Sequence, residues 1–322
     1  MAPLSRDAGR SERPTHGPVT AGEITVAVAT CGRPDDLARC LTALAAQTLP
    51  PGEVIVVDQA PSDSARDAVE ASGLETTRYV EQPRLGLSAS RNLAMRLAGG
   101  RTLAVTDDDC APDQAWLAAV ADALERAPQA AAVTGPILPL GDAEPGTFAV
   151  SLRESEVAVD HAGRAVPWDI GSGGNFAATL TTLRECGGWD ERLGAGSPGR
   201  AAEDADLLHR LLVDGHTVRY EPAAIVRHAW QTRARRLQTR WSYGYGIGAM
   251  CGLWLARGDG YALRILPRYA RLHVRPLLGG LRRRDRSRVA EHARALASVV
   301  PGLVRGLRAA RLPSSSTEVQ PP

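Results

Sequence analysis

Short apolar runs alternate with longer amphipathic segments through the first half of the chain. Runs rich in β-branched residues predict strands at 24–29, 54–57, 78–80 and 103–106. Apolar residues at helical spacing predict a helix after Pro34, through Leu37, Cys40, Leu41 and Leu44, and further helices at 88–97 and 114–127. Strands that alternate with helices are typical of an α/β fold, in which helices cover both faces of a mostly parallel sheet.

The second half of the chain has a weaker pattern. After Pro136 the alternation gives way to segments rich in Gly and Pro, followed by a predicted helix at 203–213 and predicted strands at 217–220 and 224–227. An Arg-rich helical stretch follows Gln231, and both ends of the chain are rich in Pro, Ser, Thr and charge. We therefore predict disordered tails at 1–21 and 313–322, a main domain at 22–232 and a basic helical extension at 233–312.

Composition narrows the class of protein. The chain has 322 residues, of which 44% are hydrophobic and 23% charged, as in globular proteins. No run approaches the ~18 apolar residues of a membrane span, and residues 1–21 lack the apolar core of a secretory signal. Five scattered cysteines without a CxxC pair indicate a reducing compartment and no zinc site. We expect a cytoplasmic protein, either soluble or peripheral to a membrane.

Three consecutive carboxylates follow the apolar run at 103–106. Asp107, Asp108 and Asp109 repel one another, and a hard divalent cation would neutralise them. In an extended segment Asp107 and Asp109 face one way and Asp108 the other, so the outer pair suits Mg²⁺ or Mn²⁺ with a nucleotide diphosphate. The alternative is a solvated acidic turn in which Asp113 caps the next helix.

Two other segments fall at predicted carboxyl ends of strands, where ligands of such sheets bind. Asp58 ends the run at 54–57 and is a candidate acceptor for base or ribose groups, with an Asx-turn as the alternative. The segment from Thr30 to Pro34 offers a helix N-terminus and the guanidinium of Arg33, which suit an anion or a uracil edge. An ordinary strand-to-helix loop is the alternative there.

Several short motifs follow one another in a fixed order. They are ATCGRP at 29–34, VVD at 56–58, GLSASRN at 86–92, DDD at 107–109, GGWDE at 187–191, EDADL at 203–207 and YGYG at 243–246. With this set the chain resembles family 2 glycosyltransferases of the GT-A fold from about Ile24 to Met250. The resemblance implies an enzyme that transfers a sugar, with inversion, from a nucleotide-sugar donor.

The resemblance also implies a donor site and a metal site. Donor contacts are implied for Thr30, Arg33, Asp58, Arg84, Arg91, Asp107 and Asp108. A divalent metal, Mn²⁺ or Mg²⁺, is implied at Asp107, Asp109 and His228, which follows the predicted strand at 224–227. The alternative for His228 is a buried histidine bonded to backbone.

The resemblance further implies the catalytic base and the acceptor side. Asp204 would take the proton of the acceptor hydroxyl as its oxygen attacks the anomeric carbon, with Glu203 orienting Asp204 or favouring the helix dipole. Asp206 is interpreted as a surface partner of Arg210. The predicted acceptor side consists of Gly173, Gly174, Asn175, Trp189 and Glu203, where glycines admit close backbone approach and Trp189 offers a stacking face. Turn formation is the alternative for the glycines and Trp189.

The number of sugars added follows from a motif that is not matched. Gln238-Thr239-Arg240-Trp241 is one residue short of the QxxRW motif of processive synthases, and membrane spans are missing. We therefore predict a single addition to a hydroxyl acceptor, which is a glycan, a lipid-linked sugar or a small molecule. The alternative is an inactive GT-A-like module that binds a nucleotide-sugar.

Arginine is concentrated near the end of the chain. Positions 227–312 contain 19 Arg and three acidic residues, with Leu263, Leu266 and Ala270 at helical spacing and aromatic residues at 241, 243, 245, 254 and 269. One interpretation is contact with an anionic membrane surface. The alternatives are a helical lid over the leaving diphosphate and a solvated helical pack. No nucleic-acid partner is expected, because no recognised binding motif accompanies the arginines.

Overall fold

The computed structural model describes residues 21–82 and 84–310, so the predicted tails at 1–21 and 313–322 lie outside it except for Ala21. A 3₁₀ turn at Ala21–Glu23 precedes the first strand. The strands are β1 (Ile24–Thr30), β2 (Glu53–Asp58), β3 (Thr77–Glu81), β4 (Thr102–Asp107), β5 (Cys110–Pro112), β6 (Ala130–Thr134), β7 (Ile137–Pro139), β8 (Thr147–Phe148), β9 (Val159–His161), β10 (Asn175–Thr179), β11 (Thr217–Tyr220), β12 (Val226–His228) and β13 (Gln231–Thr232). The helices are α1 (Pro34–Ala45), α2 (Asp63–Ala71), α3 (Leu87–Leu97), α4 (Trp116–Arg126), α5 (Pro167–Ile170), α6 (Leu180–Glu185), α7 (Glu203–Val213), α8 (Arg233–Ala256), α9 (Ala262–Arg283), α10 (Arg286–Ala297) and α11 (Val299–Ala309).

Eight of these strands form one sheet in the order β3-β2-β1-β4-β10-β6-β11-β9. Six of the eight run in one direction, and β10 and β9 run against them. The prediction of a mostly parallel sheet is confirmed. β6 and β10 had not been predicted, because both are short and rich in alanine, which carries little strand signal although every residue in them is buried.

Helices cover both faces of the sheet, and alternation along each strand decides which residue meets which helix. On β1, Val26 and Val28 face a core shared with α1 and α4, whereas Ala27 faces a core shared with α3, α6 and α7. The two cores pack against β1, β2 and β4 from both sides. The carboxyl ends of β1, β2 and β4, which carry the candidate residues, are thereby fixed relative to one another.

A second, three-stranded sheet in the order β5-β12-β7 lies beside the first. Its antiparallel register places His228 opposite Cys110 and Arg227 opposite Ala111. The pairing brings a strand from late in the chain to the residues that follow Asp109. No propensity in the sequence predicts this register, because it depends on two strands more than a hundred residues apart.

The four C-terminal helices pack onto the main domain through a third apolar core. Val166, Leu193, Ala202 and Ala205 contribute to it from the main domain, and α8 and α9 contribute the larger share. Trp254 and Tyr269 are buried in or beside this core, so these two aromatic residues are not available to a membrane. Within the described residues, none of the helices combines the length and apolarity that crossing a membrane requires.

Helices α8 and α11 approach each other unusually closely, and glycine is the reason. Gly244, Gly248 and Gly252 recur every four residues on α8. Gly248 and Gly252 face α11, which carries Gly302 and Gly306, and Gly244 faces Ala295 at the end of α10. A Cβ on any of these glycines would overlap backbone atoms of the opposite helix or of the residues that precede it. The YGYG motif at 243–246 therefore helps to hold α11 in place.

Candidate active site

The acidic triplet lies where β4 turns back into β5. β4 ends at Asp107, the next two aspartates form the turn, and β5 begins at Cys110. The side chain of Asp108 has no exposed surface, whereas those of Asp107 and Asp109 keep 28% and 13%. The turn thus leaves the outer pair open to a ligand and points the middle carboxylate inward.

Asp108 binds the segment between β1 and α1. Its Oδ2 accepts a hydrogen bond from Thr30 Oγ1 at 2.8 Å, and its Oδ1 lies 2.5 Å from Arg33 Nη2. Burial raises the pKa of Asp108 to about 7, although the charge of Arg33 opposes the shift. Because Thr30 is buried too, neither side chain has a free surface for the predicted donor contact. Arg33 is the member of this group that faces solvent, and it also contacts Asp109 Oδ2 at 2.6 Å.

Asp58 is buried at the end of β2 with both oxygens in use. Oδ1 accepts the N–H of Ala60 at 2.8 Å, which is the Asx-turn considered as the alternative for this residue. Oδ2 accepts the hydroxyl of Tyr79 at 2.7 Å. Burial and this hydrogen bond raise the pKa of Tyr79 to about 12. A donor contact by Asp58 stays a prediction, because the contacts in the structure tie β3 and the following loop to β2.

His228 and Asp109 form the group best suited to a metal ion. Nδ1 of His228 lies 2.8 Å from the carbonyl oxygen of Ala229, and a carbonyl only accepts, so Nδ1 must carry the proton. Nε2 then directs its lone pair or a second proton at Asp109 Oδ1, 3.4 Å away. The Cys110 thiol completes a group in which the three ligand atoms lie within 4.8 Å of one another. A carboxylate oxygen facing an imidazole lone pair is a donor set for a divalent cation.

Helix α8 brings two further side chains to the same region. Arg235 Nη2, in its first turn, lies 3.8 Å from Asp109 Oδ2. Two turns further on, Tyr243 keeps 38% of its surface exposed, while desolvation of its hydroxyl and the carboxylates of Asp204, Glu203 and Asp107 raise the pKa of Tyr243 to about 12. The basic extension therefore contributes a cation and a phenol to the rim of the site.

Arg91 joins the acidic triplet to the start of α7. Its guanidinium is buried and lies 2.9 Å from Asp107 Oδ1 through Nη2 and 3.0 Å from Glu203 Oε1 through Nη1. Nη2 also donates to the carbonyl of Gly173 at 3.2 Å. A Cβ on Gly173 would lie 2.7 Å from Nη1, so glycine is needed for this approach. Arg91 is therefore the centre of a charge network within the site, and its predicted contact with the donor stays a prediction.

Asp204 lies in the first turn of α7 with its carboxylate held by two backbone N–H groups. Oδ2 accepts from Gly173 at 2.9 Å, and Oδ1 accepts from Ala205 at 2.7 Å. The preceding Ala202 has φ +71°, a left-handed conformation that is uncommon without glycine. Such local strain is retained where the surrounding structure imposes it, and here it sets the angle at which α7 presents Asp204.

Glu203 is buried beside Asp204, and this environment changes its proton affinity. Burial and the neighbouring carboxylate raise the pKa of Glu203, while Arg91 acts in the opposite direction. Glu203 is thus paired with Arg91 inside the protein, and Asp204 is the more exposed of the two carboxylates.

Comparison with known families decides the identity of this arrangement. Residues 103–293, more than half of the chain, match the model described as Glycosyl transferase family group 2, and residues 25–148 match the model of Glycosyl transferase family 2. The chain belongs to glycosyl transferase family 2. The match at 103–293 includes the acidic triplet and α7 and crosses the domain boundary predicted at residue 232, which stays a prediction.

Curated relatives of this family 2 glycosyltransferase match different shares of its length. The pre-mycofactocin glycosyltransferase of Mycobacterium tuberculosis is 27% identical over 74% of this chain and 49% of its own length. Glycosyltransferase AglE of Haloferax volcanii is 29% identical over 29% of this chain and 33% of its own length. The chain therefore spans only a third to a half of these curated relatives.

Solved structures show the same fold. The mannosyltransferase PcManGT of Pyrobaculum calidifontis, in complex with GDP-Man and Mn²⁺, superimposes with a TM-score of 0.55 at 18% identity, over 92% of this chain and 91% of that chain. Residues 1–349 of S. aureus TarS give a TM-score of 0.55 at 14% identity, over 86% of this chain and 90% of that chain. The GT-A fold predicted for this family 2 glycosyltransferase is confirmed.

Three further predicted site residues of the glycosyltransferase are either buried or paired with another side chain. Trp189 is buried with its ring edge-on to Phe176, so it offers no face for stacking on a sugar. Asn175 is buried with its amide bonded to Trp116, Pro136 and Ala224. Arg84 is exposed and lies 3.6 Å from Glu191. A role for these three residues in donor or acceptor binding stays a prediction.

Sequence reasoning gave the wrong environment for two aspartates. Asp206, interpreted as a surface partner of Arg210, is fully buried and binds Trp254 Nε1 at 2.8 Å as well as Arg210 Nε at 2.8 Å. Asp113, considered as a cap of α4, pairs with Arg227 at 2.7 Å, and the N-cap is Ala115. In both cases the decisive partner comes from a distant segment.

Proposed function

We propose that this chain is an inverting, divalent-metal-dependent glycosyltransferase that moves one sugar from a nucleoside-diphosphate sugar to a hydroxyl acceptor. The observation that carries the proposal is the Arg91 bridge, because it holds the donor-side Asp107 and the start of the Asp204 helix in one rigid group. The donors of similar proteins, GDP-Man for PcManGT and UDP-GlcNAc for TarS, support a nucleotide-sugar. The family membership of the chain supports the reaction class.

Asp109 and His228 are the proposed metal ligands, with Asp107 beside them. Cys110 does not fit Mn²⁺ or Mg²⁺, because burial and the neighbouring aspartates raise the pKa of its thiol and a neutral thiol is a weak ligand. When bound, the cation would supply positive charge that stabilises the departing diphosphate. Arg33 and Arg235, both within ion-pair distance of Asp109, would add charge on the same side.

Asp204 is the proposed base. The Gly173 N–H donates a hydrogen bond to one of its oxygens, which fixes the orientation of the carboxylate that would accept the proton of the acceptor hydroxyl. One base is sufficient for a direct displacement, in which the hydroxyl oxygen attacks the anomeric carbon as the bond to the diphosphate breaks. A single displacement inverts the anomeric configuration, and the missing QxxRW motif favours one addition per acceptor.

The acceptor and the location belong to the proposal too. We propose a hydroxyl on a glycan, a lipid-linked sugar or a small molecule, and a cytoplasmic enzyme that is either soluble or peripheral at the inner face of the membrane. The alternative function is a module that binds a nucleotide-sugar without transferring it. The ordered carboxylate of Asp204, which a binding module does not need, favours the enzyme.

The test separates binding from turnover. Purified protein is assayed for donor binding by calorimetry and for Mn²⁺-dependent donor hydrolysis and transfer, with GDP-Man, UDP-GlcNAc and other nucleotide-sugars. Asp204→Asn should retain donor binding and lose about 10²- to 10⁴-fold in rate, because only the proton transfer is removed. Asp109→Asn should instead lose the Mn²⁺ dependence of donor binding. NMR of the product should show the inverted anomer.

Asp122→Asn provides a matched control, because Asp122 is exposed on α4 and is not a candidate site residue. It should behave as the native protein. Donor binding by the native chain without turnover across the donor and acceptor panel would support the binding module. Full activity of Asp204→Asn would exclude Asp204 as the base.

A further inference from the structure

Helix α9 carries an exposed apolar stripe along most of its length. Leu263, Val274, Leu278 and Leu281 are 65%, 39%, 47% and 55% exposed. At 3.6 residues per turn these four positions fall within an arc of about 60°. Exposing one leucine is ordinary for a protein surface, but four aligned on one helix form a continuous apolar strip.

A stripe of arginines runs directly beside the apolar stripe. Each of these arginines is exposed, and together they occupy the adjoining arc of about 60°: Arg264, Arg268, Arg271, Arg275 and Arg282. The α9 sequence contains no acidic residue, and within residues 21–82 and 84–310 none of the five forms an ion pair. Arginines elsewhere in the chain, such as Arg91 and Arg210, are paired with carboxylates. We call these two adjoining stripes the α9 outer face.

The third arc of α9 already has partners. Ile265, Tyr269, His273 and Gly280 are buried, and α9 packs there against α8 and α10. The outer face is therefore a surface that the fold leaves without a partner among the described residues. α11 repeats the arrangement on a smaller scale, with Val300, Val304 and Leu307 exposed and an arginine following each of the last two by one residue.

We propose that the α9 outer face binds the surface of an anionic lipid bilayer. The apolar stripe would enter the boundary between headgroups and acyl chains, and the arginines would contact lipid phosphates at the same depth. Duplex nucleic acid would use the arginines but would leave the leucines in water. A second copy of this chain, related by a two-fold axis, would bring the two arginine stripes towards each other. A bilayer satisfies both stripes at once, and this contact is independent of the transfer reaction.

Vesicle flotation with the whole chain tests the proposal. We expect the protein to float with vesicles in which about a third of the lipid is phosphatidylglycerol, and not with pure phosphatidylcholine vesicles. Raising the salt to about 0.5 M should weaken the binding strongly, because screening removes the contribution of the arginines. No association with anionic vesicles at low salt would overturn the proposal.

Two matched variants locate the surface. In the first, Arg264, Arg268, Arg271 and Arg275 are each changed to Gln, and binding should weaken by at least about tenfold. Its control changes four arginines of the main domain to Gln, which removes the same charge and should leave binding within about twofold; they are Arg78, Arg96, Arg101 and Arg126. Equal losses in the two variants would show that net charge, not the α9 outer face, is responsible.

The apolar stripe needs its own measurement. A polarity-sensitive dye attached at Val274→Cys, in a Cys31→Ser background, should shift to the blue when anionic vesicles are added. Changing Leu263, Val274, Leu278 and Leu281 to Ser should weaken vesicle binding without changing the circular dichroism spectrum. An unshifted dye would overturn insertion of the stripe. Binding of duplex DNA but not vesicles, or dimerisation that the serine variant abolishes, would assign the surface to another occupant.

Discussion

Trp254 of α8 donates its indole N–H to the buried carboxylate of Asp206 at 2.8 Å. The same helix face of α7 carries His209, which stacks on the Trp254 ring with centroids 3.8 Å apart and contacts Asp259 at 2.6 Å. Because α7 begins with Glu203 and Asp204, these contacts anchor the helix that carries the proposed base to the C-terminal helices. The basic extension thus acts on the active site through packing as well as through Arg235.

Changing Trp254 to Phe should therefore impair catalysis without removing a ligand of the site. The buried Asp206 oxygen would lose its donor, which typically costs ~1 to 3 kcal/mol of stability, and α7 would gain freedom at its first turn. We expect kcat to fall by about tenfold or more while donor binding stays within about threefold. Steady-state kinetics and calorimetry measure the two quantities.

Trp241→Phe is the matched control for that change, because Trp241 lies on the same helix and is exposed. It should keep native kcat. A Trp254→Phe protein with native kcat and reduced thermal stability would show that the Asp206 contact supports folding alone.

Arg91→Lys should break the bridge between the two halves of the site. A single ammonium group cannot reach Asp107, Glu203 and the Gly173 carbonyl together in the geometry of a planar guanidinium. One buried carboxylate is left unpaired, and we expect ~3 to 5 kcal/mol of destabilisation together with a fall in kcat of at least about a hundredfold. Chemical denaturation and transfer assays provide both numbers.

Arg96→Lys is the control, because it makes the same charge-conserving change on the same helix at an exposed position. It should change neither quantity. If Arg91→Lys retained native activity, the bridge would have no part in organising the site.

The sequence could predict the location of site residues that directly follow an apolar strand. The acidic triplet and the Thr30 to Pro34 turn follow from the positions at which apolar strands stop, and the structure brings both together. Asp206 could not be predicted in this way. Its helical spacing to Arg210 indicated a surface pair, whereas its second partner, Trp254, lies 48 residues further along the chain.

His228 shows the same limit in a different form. Its place opposite Cys110 depends on the register between β12 and β5, which no local pattern specifies. Likewise, Trp189 offers a stacking face in the sequence, but in the structure it is buried. The Asn92 side chain donates to its carbonyl oxygen and accepts its backbone N–H. Family resemblance implied a metal role for His228 and an acceptor-side role for Trp189, and both roles stay predictions.

Gly174→Ala should weaken the proposed metal site, in which Asp107 lies beside the proposed ligands Asp109 and His228. A Cβ at this position would lie 2.9 Å from Asp107 Oδ2, closer than carbon and oxygen normally approach, so the carboxylate must move. We expect Mn²⁺ affinity, measured by calorimetry in the presence of donor, to fall by about tenfold, with little change in stability because only a side-chain end is displaced.

Gly279→Ala on α9 serves as the control, because a Cβ there meets no atom within 4 Å. It should bind Mn²⁺ as the native protein does. Unchanged Mn²⁺ affinity in Gly174→Ala would argue that Asp107 lies outside the metal group, leaving Asp109 and His228 as its protein ligands.

His273 should make the stability of the C-terminal helices depend on pH. It is buried between α9 and α10, beside Tyr269, with Nδ1 2.9 Å from Nδ1 of His292. Burial, the charge of Arg240 and His292 lower the pKa of His273 from its ordinary 6.5 to about 4, while Glu291 opposes the shift. The folded protein therefore keeps His273 neutral over a range in which the unfolded chain takes up a proton.

The sign of the effect follows from that difference in proton uptake. Between pH 6.5 and 4 the unfolded chain binds more protons at this site, so stability is complete above that range and falls as the pH is lowered through it. From pH 7 to pH 5 we expect a loss of about 2 kcal/mol in the free energy of unfolding, which urea denaturation at each pH measures. His273→Gln should reduce the dependence of the free energy of unfolding on pH. His292→Gln, measured in parallel, gives the contribution of His292 to the same dependence. An identical slope in the native and His273→Gln proteins would contradict the assignment, because the proton uptake would then occur elsewhere.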